Sequence, residues 1–192
     1  HIIKLTDAGS VAISTEQWAG IFGIRLSLSG FSVGGRSADL KVILFAGLDY
    51  ATGDAVFELR PVEEDTALRL ASWPGAFAGD DVDATIVPHT SGLMIPRNWP
   101  KVIDAPYADC GKIGLAYGLS LYMPWWGVTR GGKSAMLIFE TPDDAGIQLY
   151  HSPENGTIVS PKWIHSLGKM NYTRRARLKL VDGNYVAMAK TY

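Results

Sequence analysis

Apolar and polar residues alternate with a period of two along much of this chain, and glycines interrupt the alternation where a turn is needed. From Ala38 to Leu59 the pattern climbs through Leu40, Val42 and Leu44, turns at Thr52-Gly53-Asp54, and returns through Val56, Phe57 and Leu59. A second pair runs from Leu121 to Val128, turns at Arg130-Gly131-Gly132-Lys133, and continues through Ala135–Phe139. A third is signalled by Asn155-Gly156, set between Ile147–Tyr150 and Thr157–Val159. Glycine supplies the positive φ that tight hairpin turns require, so each pair predicts two antiparallel strands. Thr173–Val181 alternates most cleanly, with Arg175, Arg177 and Lys179 on one side and Ala176, Leu178 and Leu180 on the other.

The period changes at the end of the chain. Tyr185, Met188, Ala189 and Tyr192 are spaced i, i+3, i+4, i+7, behind Asp182 and Asn184 as caps. That spacing predicts a helix of about two turns, with a strand over Tyr185–Met188 as the open alternative. Thr15–Ile21 is expected to form one short helical turn, and Pro61–Leu70 either a helix or a loop entering a strand. The fold class is therefore all-β, an antiparallel β-sandwich with a short C-terminal helix, expected as a single domain over 1–192. Starting at His1 and stopping inside a helical stripe, the chain is expected to be a segment of a longer multidomain protein.

Composition narrows the function. Lys plus Arg number 18 and Asp plus Glu 19, and 18 − 19 leaves a formal charge of −1. Such a balance provides no field to hold a polyanion or a lipid headgroup surface, so neither nucleic acid nor membrane is an expected partner. With 47% hydrophobic and 19% charged residues the chain is too apolar to be disordered. Its single cysteine, Cys110, excludes an internal disulfide and reads as a small buried or loop thiol. His1, His89, His151 and His165 lack metal-ligand spacing, and no phosphate-cradling motif follows a strand, so no metal or cofactor is expected.

Catalytic signals are sparse. Glu140, Asp143 and Asp144 cluster after the strand Ala135–Phe139, where a glycosidic acid–base pair would have a place to sit. Thr141-Pro142-Asp143-Asp144 is also a strong turn sequence, the reading that the residues favour. Arg174, Arg175 and Arg177 suit either an anion site or a solvated strand face. Trp125 and Trp126 are adjacent on a strand and must point to opposite faces, so at most one is expected to fill the core from that sheet. The other is expected at a cleft or against a neighbouring domain, where an exposed indole stacks on sugar rings.

Four segments taken in order resemble a known family: Ile86–Pro96, Tyr122–Val128, Ala135–Ala145 and Asn184–Tyr192. The order resembles the β-sandwich domain that precedes the catalytic (β/α)8 barrel in multidomain glycoside hydrolases of the endo-α-N-acetylgalactosaminidase-like group. The resemblance covers about residues 80–192. It implies a galactose-mutarotase-like supersandwich, with Tyr185–Tyr192 as the helix that links it to a downstream barrel. The catalytic carboxylates would lie on that barrel, and no catalytic residue is carried over to this chain. Its partners would be the barrel and a carbohydrate substrate in a shared cleft, contacted by Trp125, Trp126, His89, Arg97 and Asn98. Two other classes stay open: a free-standing lectin-like carbohydrate-binding module, and a structural assembly domain that binds no sugar.

Overall fold

In the computed structural model, residues 2–63, 68–78, 81–89, 92–103, 121–165, 168–170 and 172–192 are described. They form fifteen strands and one α-helix, arranged in two compact units. Cys110 lies outside the described residues.

The first unit comprises His1–Ala71 and Ile164–Arg175. Its strands are β1 (Ser10–Trp18), β2 (Ile21–Ser29), β3 (Ser32–Val33), β4 (Arg36–Ser37), β5 (Leu40–Asp49), β6 (Ala55–Glu63) and β7 (Leu70–Ala71). Strands β1, β2, β5 and β6 pair in that order as an antiparallel meander. The expected helical turn over Thr15–Ile21 is instead the end of β1, a two-residue turn and the start of β2. Ala19 and Gly20 take φ of 46° and 82°, the positive values of a primed hairpin turn, and Trp18 and Ile21 pair across it. A spacing of three brings two apolar residues together across such a turn as well as along a helix. The predicted hairpin over Ala38–Leu59 is β5–β6. Of Pro61–Leu70, Pro61 lies in β6 and Leu70 opens β7, while residues 64–67 lie outside the described set.

The two faces of this sheet differ in chemistry. Register puts Ile13, Leu26, Leu44 and Leu59 in one row, Thr15, Ile24, Ala46 and Phe57 in the next, and Gln17, Phe22, Leu48 and Ala55 in a third. A fourth row is Val11, Leu28, Val42 and Pro61, and beyond it, on β5 and β6 alone, Leu40 pairs with Glu63. The opposite face carries the charges, Glu16, Arg25, Lys41, Asp49, Glu58 and Arg60, around a small core of Ile21, Phe45 and Val56. The Phe45 ring lies over the paired Gly23 and Gly47, where a Cβ on Gly47 would stand 2.6 Å from it.

The second unit comprises Ser72–Trp163 and Ala176–Tyr192. Its strands are β8 (Phe77–Ala78), β9 (Ala84–Val87), β10 (Leu93–Pro96), β11 (Trp125–Arg130), β12 (Lys133–Phe139), β13 (Ala145–Ser152) and β14 (Gly156–Ile164). They are joined by β15 (Arg174–Asp182) from Ala176 onward, followed by helix α1 (Tyr185–Thr191). One sheet has the order β15-β12-β11-β9-β10, and a second pairs β14 with β13 and with β8. Two edge-to-face aromatic contacts join the layers. Phe139 meets Trp163 at 5.2 Å between ring centroids, and Trp126 meets Phe77 at 5.3 Å. Each such pair contributes about 0.5–1.5 kcal/mol beyond the apolar area it buries. This is a β-sandwich, as the alternation predicts.

The Asn155-Gly156 signal resolves differently from a two-residue turn. Ser152 pairs with Gly156, so Pro153–Asn155 form a three-residue loop, and Gly156 at φ 67° takes the left-handed place that follows it. Both the Asn155 main-chain N–H and its side-chain amide donate to Ser152 Oγ, at 3.1 and 3.0 Å.

The final stripe is a helix. Asn184 Oδ1 accepts from Val186 N at 3.0 Å, and Met188 is fully buried against Trp125 and Met136. Helix α1 covers one face of β11 and β12.

Candidate functional site

The segments that carry the family resemblance are far apart in sequence and adjacent in space. Strand β9 pairs with β10 on one side and β11 on the other, and β11 pairs with β12. The segments Ile86–Pro96, Tyr122–Val128 and Ala135–Ala145 thus lie side by side, and Asn184–Tyr192 packs across them.

Trp125 and Trp126 are the first correction. They do face opposite sides, yet Trp125 is 3% exposed and Trp126 only 2%. Helix α1 covers the first through Met188, and the second sheet covers the other through Phe77. Trp125 Nε1 donates to Met123 Sδ at 3.4 Å. Both sheet faces are clad by the chain itself, so neither ring is presented to a sugar, and the pair gives no evidence of a missing neighbour.

His89, Arg97 and Asn98 are the remaining expected contacts, and the β9–β10 hairpin separates them. His89 sits beyond the end of β9, at the hairpin tip, half-buried and bridged to Leu121, with its N–H donating to Val87 O at 2.7 Å. Arg97 and Asn98 follow the end of β10, at the base. A four-residue strand spans about 13 Å, so tip and base lie at opposite ends of the hairpin. They are two locations.

The base is the more developed of the two. Arg97 N donates to Asp83 O at 3.0 Å, and Trp99 N to Pro96 O at 3.0 Å, which folds a turn with both Arg97 and Asn98 side chains exposed. Buried His151 pins the far side of that turn: its Nε2 reaches Trp99 O at 2.9 Å, and its Nδ1 lies 2.9 Å from Thr157 Oγ1. A carbonyl only accepts, so Nε2 donates to Trp99 O, and Nδ1 shares a hydrogen bond with the threonine hydroxyl. His151 and Ile103 exchange two further main-chain bonds, at 2.8 and 2.9 Å. Next to the turn, the Asp83 carboxylate accepts from Gly131 N at 2.7 Å, and Arg130 pairs with Asp81 at 2.6 Å. The result is an exposed guanidinium and an exposed amide on a backbone fixed at both ends, which suits donation to sugar hydroxyl or acetamido oxygens. Sequence spacing gave no sign that His151, more than fifty residues away, holds this turn.

The acidic and basic clusters are engaged within the fold. Glu140 accepts from Arg177 at 2.6 Å, and Asp144 sits at φ 61° in the turn before Ala145, whose N–H reaches Pro142 O at 3.0 Å. Turn formation prevails there, as the residues suggested. Arg175 pairs with Glu58 at 2.6 Å and lies 4.4 Å over the Trp18 ring. Buried Arg174 donates to the carbonyls of Tyr172 and Ile164, at 2.7 and 3.0 Å. These arginines bond protein groups, so they do not form the anion site that was the alternative reading. Lys162, half-buried on β14 opposite Gly146, has its ammonium pKa lowered by desolvation. Among the described residues no three His, Cys, Asp or Glu gather as a metal site, and no helix is long and apolar enough to cross a membrane.

Fold and segment order together define a class: the chain resembles a non-catalytic β-sandwich domain of a multidomain glycoside hydrolase. The solved structures give that class particular members. The chain is similar to α-N-acetylgalactosaminidase NagBb from Bifidobacterium bifidum in its GalNAc complex, at 28% identity and a TM-score of 0.85. A quadruple mutant of the same enzyme matches at 29% identity and 0.83. Each match covers 98% of this chain and 30% of the NagBb chain, so the present chain spans under a third of the enzyme it resembles. The GH36 α-galactosidase AgaB from Geobacillus stearothermophilus, at 11% identity and a TM-score of 0.52, shares the fold. No protein-family model matches the chain, and no curated protein matches it.

Proposed function

We propose that residues 1–192 are a non-catalytic β-sandwich domain of a glycoside hydrolase that acts on α-linked N-acetylgalactosamine. In this reading the domain packs on a (β/α)8 barrel in the same polypeptide, and the Arg97–Asn98 turn forms part of the rim of its cleft. The observation that carries the reading is the likeness to NagBb along 98% of this chain but only 30% of that one. The pinned turn adds to it, because fixed donors lose little entropy on meeting a sugar. Burial of Trp125 and Trp126 counts against a free-standing lectin-like module, whose stacking platform would need them exposed.

The test uses the full-length parent protein and an α-N-acetylgalactosaminide substrate. The parent hydrolyses the substrate. Replacing Arg97 and Asn98 by Ala raises KM about tenfold with kcat nearly unchanged, the result of losing roughly 1–2 kcal/mol of uniform binding. A parent inactive on every α-glycoside would overturn the enzyme assignment. An unchanged KM would remove the turn from the cleft.

A further inference from the structure

We infer that the uncharged face of the β1-β2-β5-β6 sheet is the surface on which the catalytic domain of the same polypeptide docks. This rests on the reading above, that the chain is one domain of a longer glycoside hydrolase. On that face the four rows that cross all four strands contain no charge, Glu63 standing beyond them at the end of β6, whereas the opposite face carries six charged side chains. Yet much of the uncharged face is open. Ile13 is 70% exposed, Val11 55%, Leu48 53%, Ile24 51% and Phe22 42%. Register makes these residues neighbours, so they form one patch rather than scattered exceptions. Contiguous apolar surface of this kind marks a place that another body covers.

The chemistry of the patch selects its occupant. A sugar needs converging donors and acceptors, and the rows offer only Thr15 and Gln17, both on the outermost strand. An anionic lipid surface needs a basic rim, and this face has no Lys or Arg. What fits is another apolar protein surface. The NagBb chains that match this one hold 70% of their length outside the match, so an enzyme of that kind supplies a large, covalently tethered partner. Tethering raises the effective concentration enough for a patch of a few side chains to stay closed. The exposure of the five residues is thus the exposure of an interface seen without its other half.

Thiol labelling of the full-length parent tests this, with Cys110→Ser as the background. Ile13→Cys and Ile24→Cys report on the uncharged face, and Ala12→Cys, exposed on the other face of β1, is the control. Ala12→Cys is expected to react with a maleimide at close to the rate of a free thiol. The two reporters are expected to react at least about tenfold more slowly. Equal rates on both faces, in a parent with confirmed glycosidase activity, would overturn the docking surface and leave the proposed function standing. A parent gene without a further domain would remove that function, and the docking surface with it, before any labelling is done. Protection that disappears on dilution would assign the face to a second copy of the chain and overturn the inference. Hydrogen exchange of the unsubstituted parent gives the same comparison without substitutions, with β1 and β2 amides expected among the slowly exchanging set.

Discussion

Ala19 holds a conformation that asparagine, aspartate or glycine adopts more readily. At φ 46° it is one of two non-glycine residues with positive φ among those described, and an L-side chain there costs on the order of 1 kcal/mol. Asparagine tolerates this region and followed by Gly20 gives the favoured hairpin pair. Ala19→Asn is expected to stabilise the chain by about 0.5–1 kcal/mol, read as an upward shift of a few degrees in Tm. Lys162 is a liability of another kind. Burial makes its protonated form less favourable in the fold than in the unfolded chain, so its folded pKa lies below 10.5. The resulting penalty is complete below the folded pKa and vanishes above the unfolded one, which means this group adds stability as pH rises between them. Lys162→Met is expected to raise Tm at pH 7, with the advantage shrinking as pH approaches 10.5. His151 carries the opposite sign: His151→Phe strands Trp99 O and Thr157 Oγ1 and is expected to cost about 2–4 kcal/mol, with faster proteolysis across residues 97–103.

Elements were readable wherever a local rule dictated them. The β5–β6 and β11–β12 hairpins lie where alternation and turn glycines put them, and the α1 stripe holds because Asn184 caps it and Met188 anchors it. Thr15–Ile21 misled because a two-residue turn imitates helical spacing, and only the full length of β1 and β2 distinguishes the two. The fate of Trp125 and Trp126 was hidden for a different reason. Strand geometry assigns them to opposite faces, but which elements clad those faces is a long-range matter that no local window contains. Gly127 shows how close the cladding is: a Cβ there would stand 2.5 Å from Met188 Sδ and 2.7 Å from the Ala135 carbonyl oxygen. Gly127→Ala is expected to cost about 1–3 kcal/mol by pushing α1 off the sheet, visible as loss of amide protection in residues 185–191.

For the whole molecule, the fold class and the family likeness were legible from segment order, while the separation of His89 from Arg97 and Asn98 was not. Arg97 and His89 sit eight positions apart in a segment that reads as one loop-rich stretch, and only the β9–β10 hairpin shows that it places them at opposite ends. The two faces of the β1-β2-β5-β6 sheet went unnoticed because alternation reports that a strand has two sides, not which side is left open. Their difference makes a prediction on the scale of the parent protein. Ile24→Ser is expected to lower the parent's Tm by several degrees, whereas Ala12→Ser on the other face is expected to leave it unchanged.

The cover that α1 gives Trp125 also sets a schedule. Met188 follows Trp125 by 63 residues, and ribosomes add about 5–20 residues each second, so the indole emerges roughly 3–13 s before its lid exists. During that interval a nascent chain displays a strand with a bare tryptophan and a glycine notch beside it. A chaperone that grips apolar segments as they leave the exit tunnel would find an opportunity there, and a stalled translation between the two residues would leave the sheet sticky on that side.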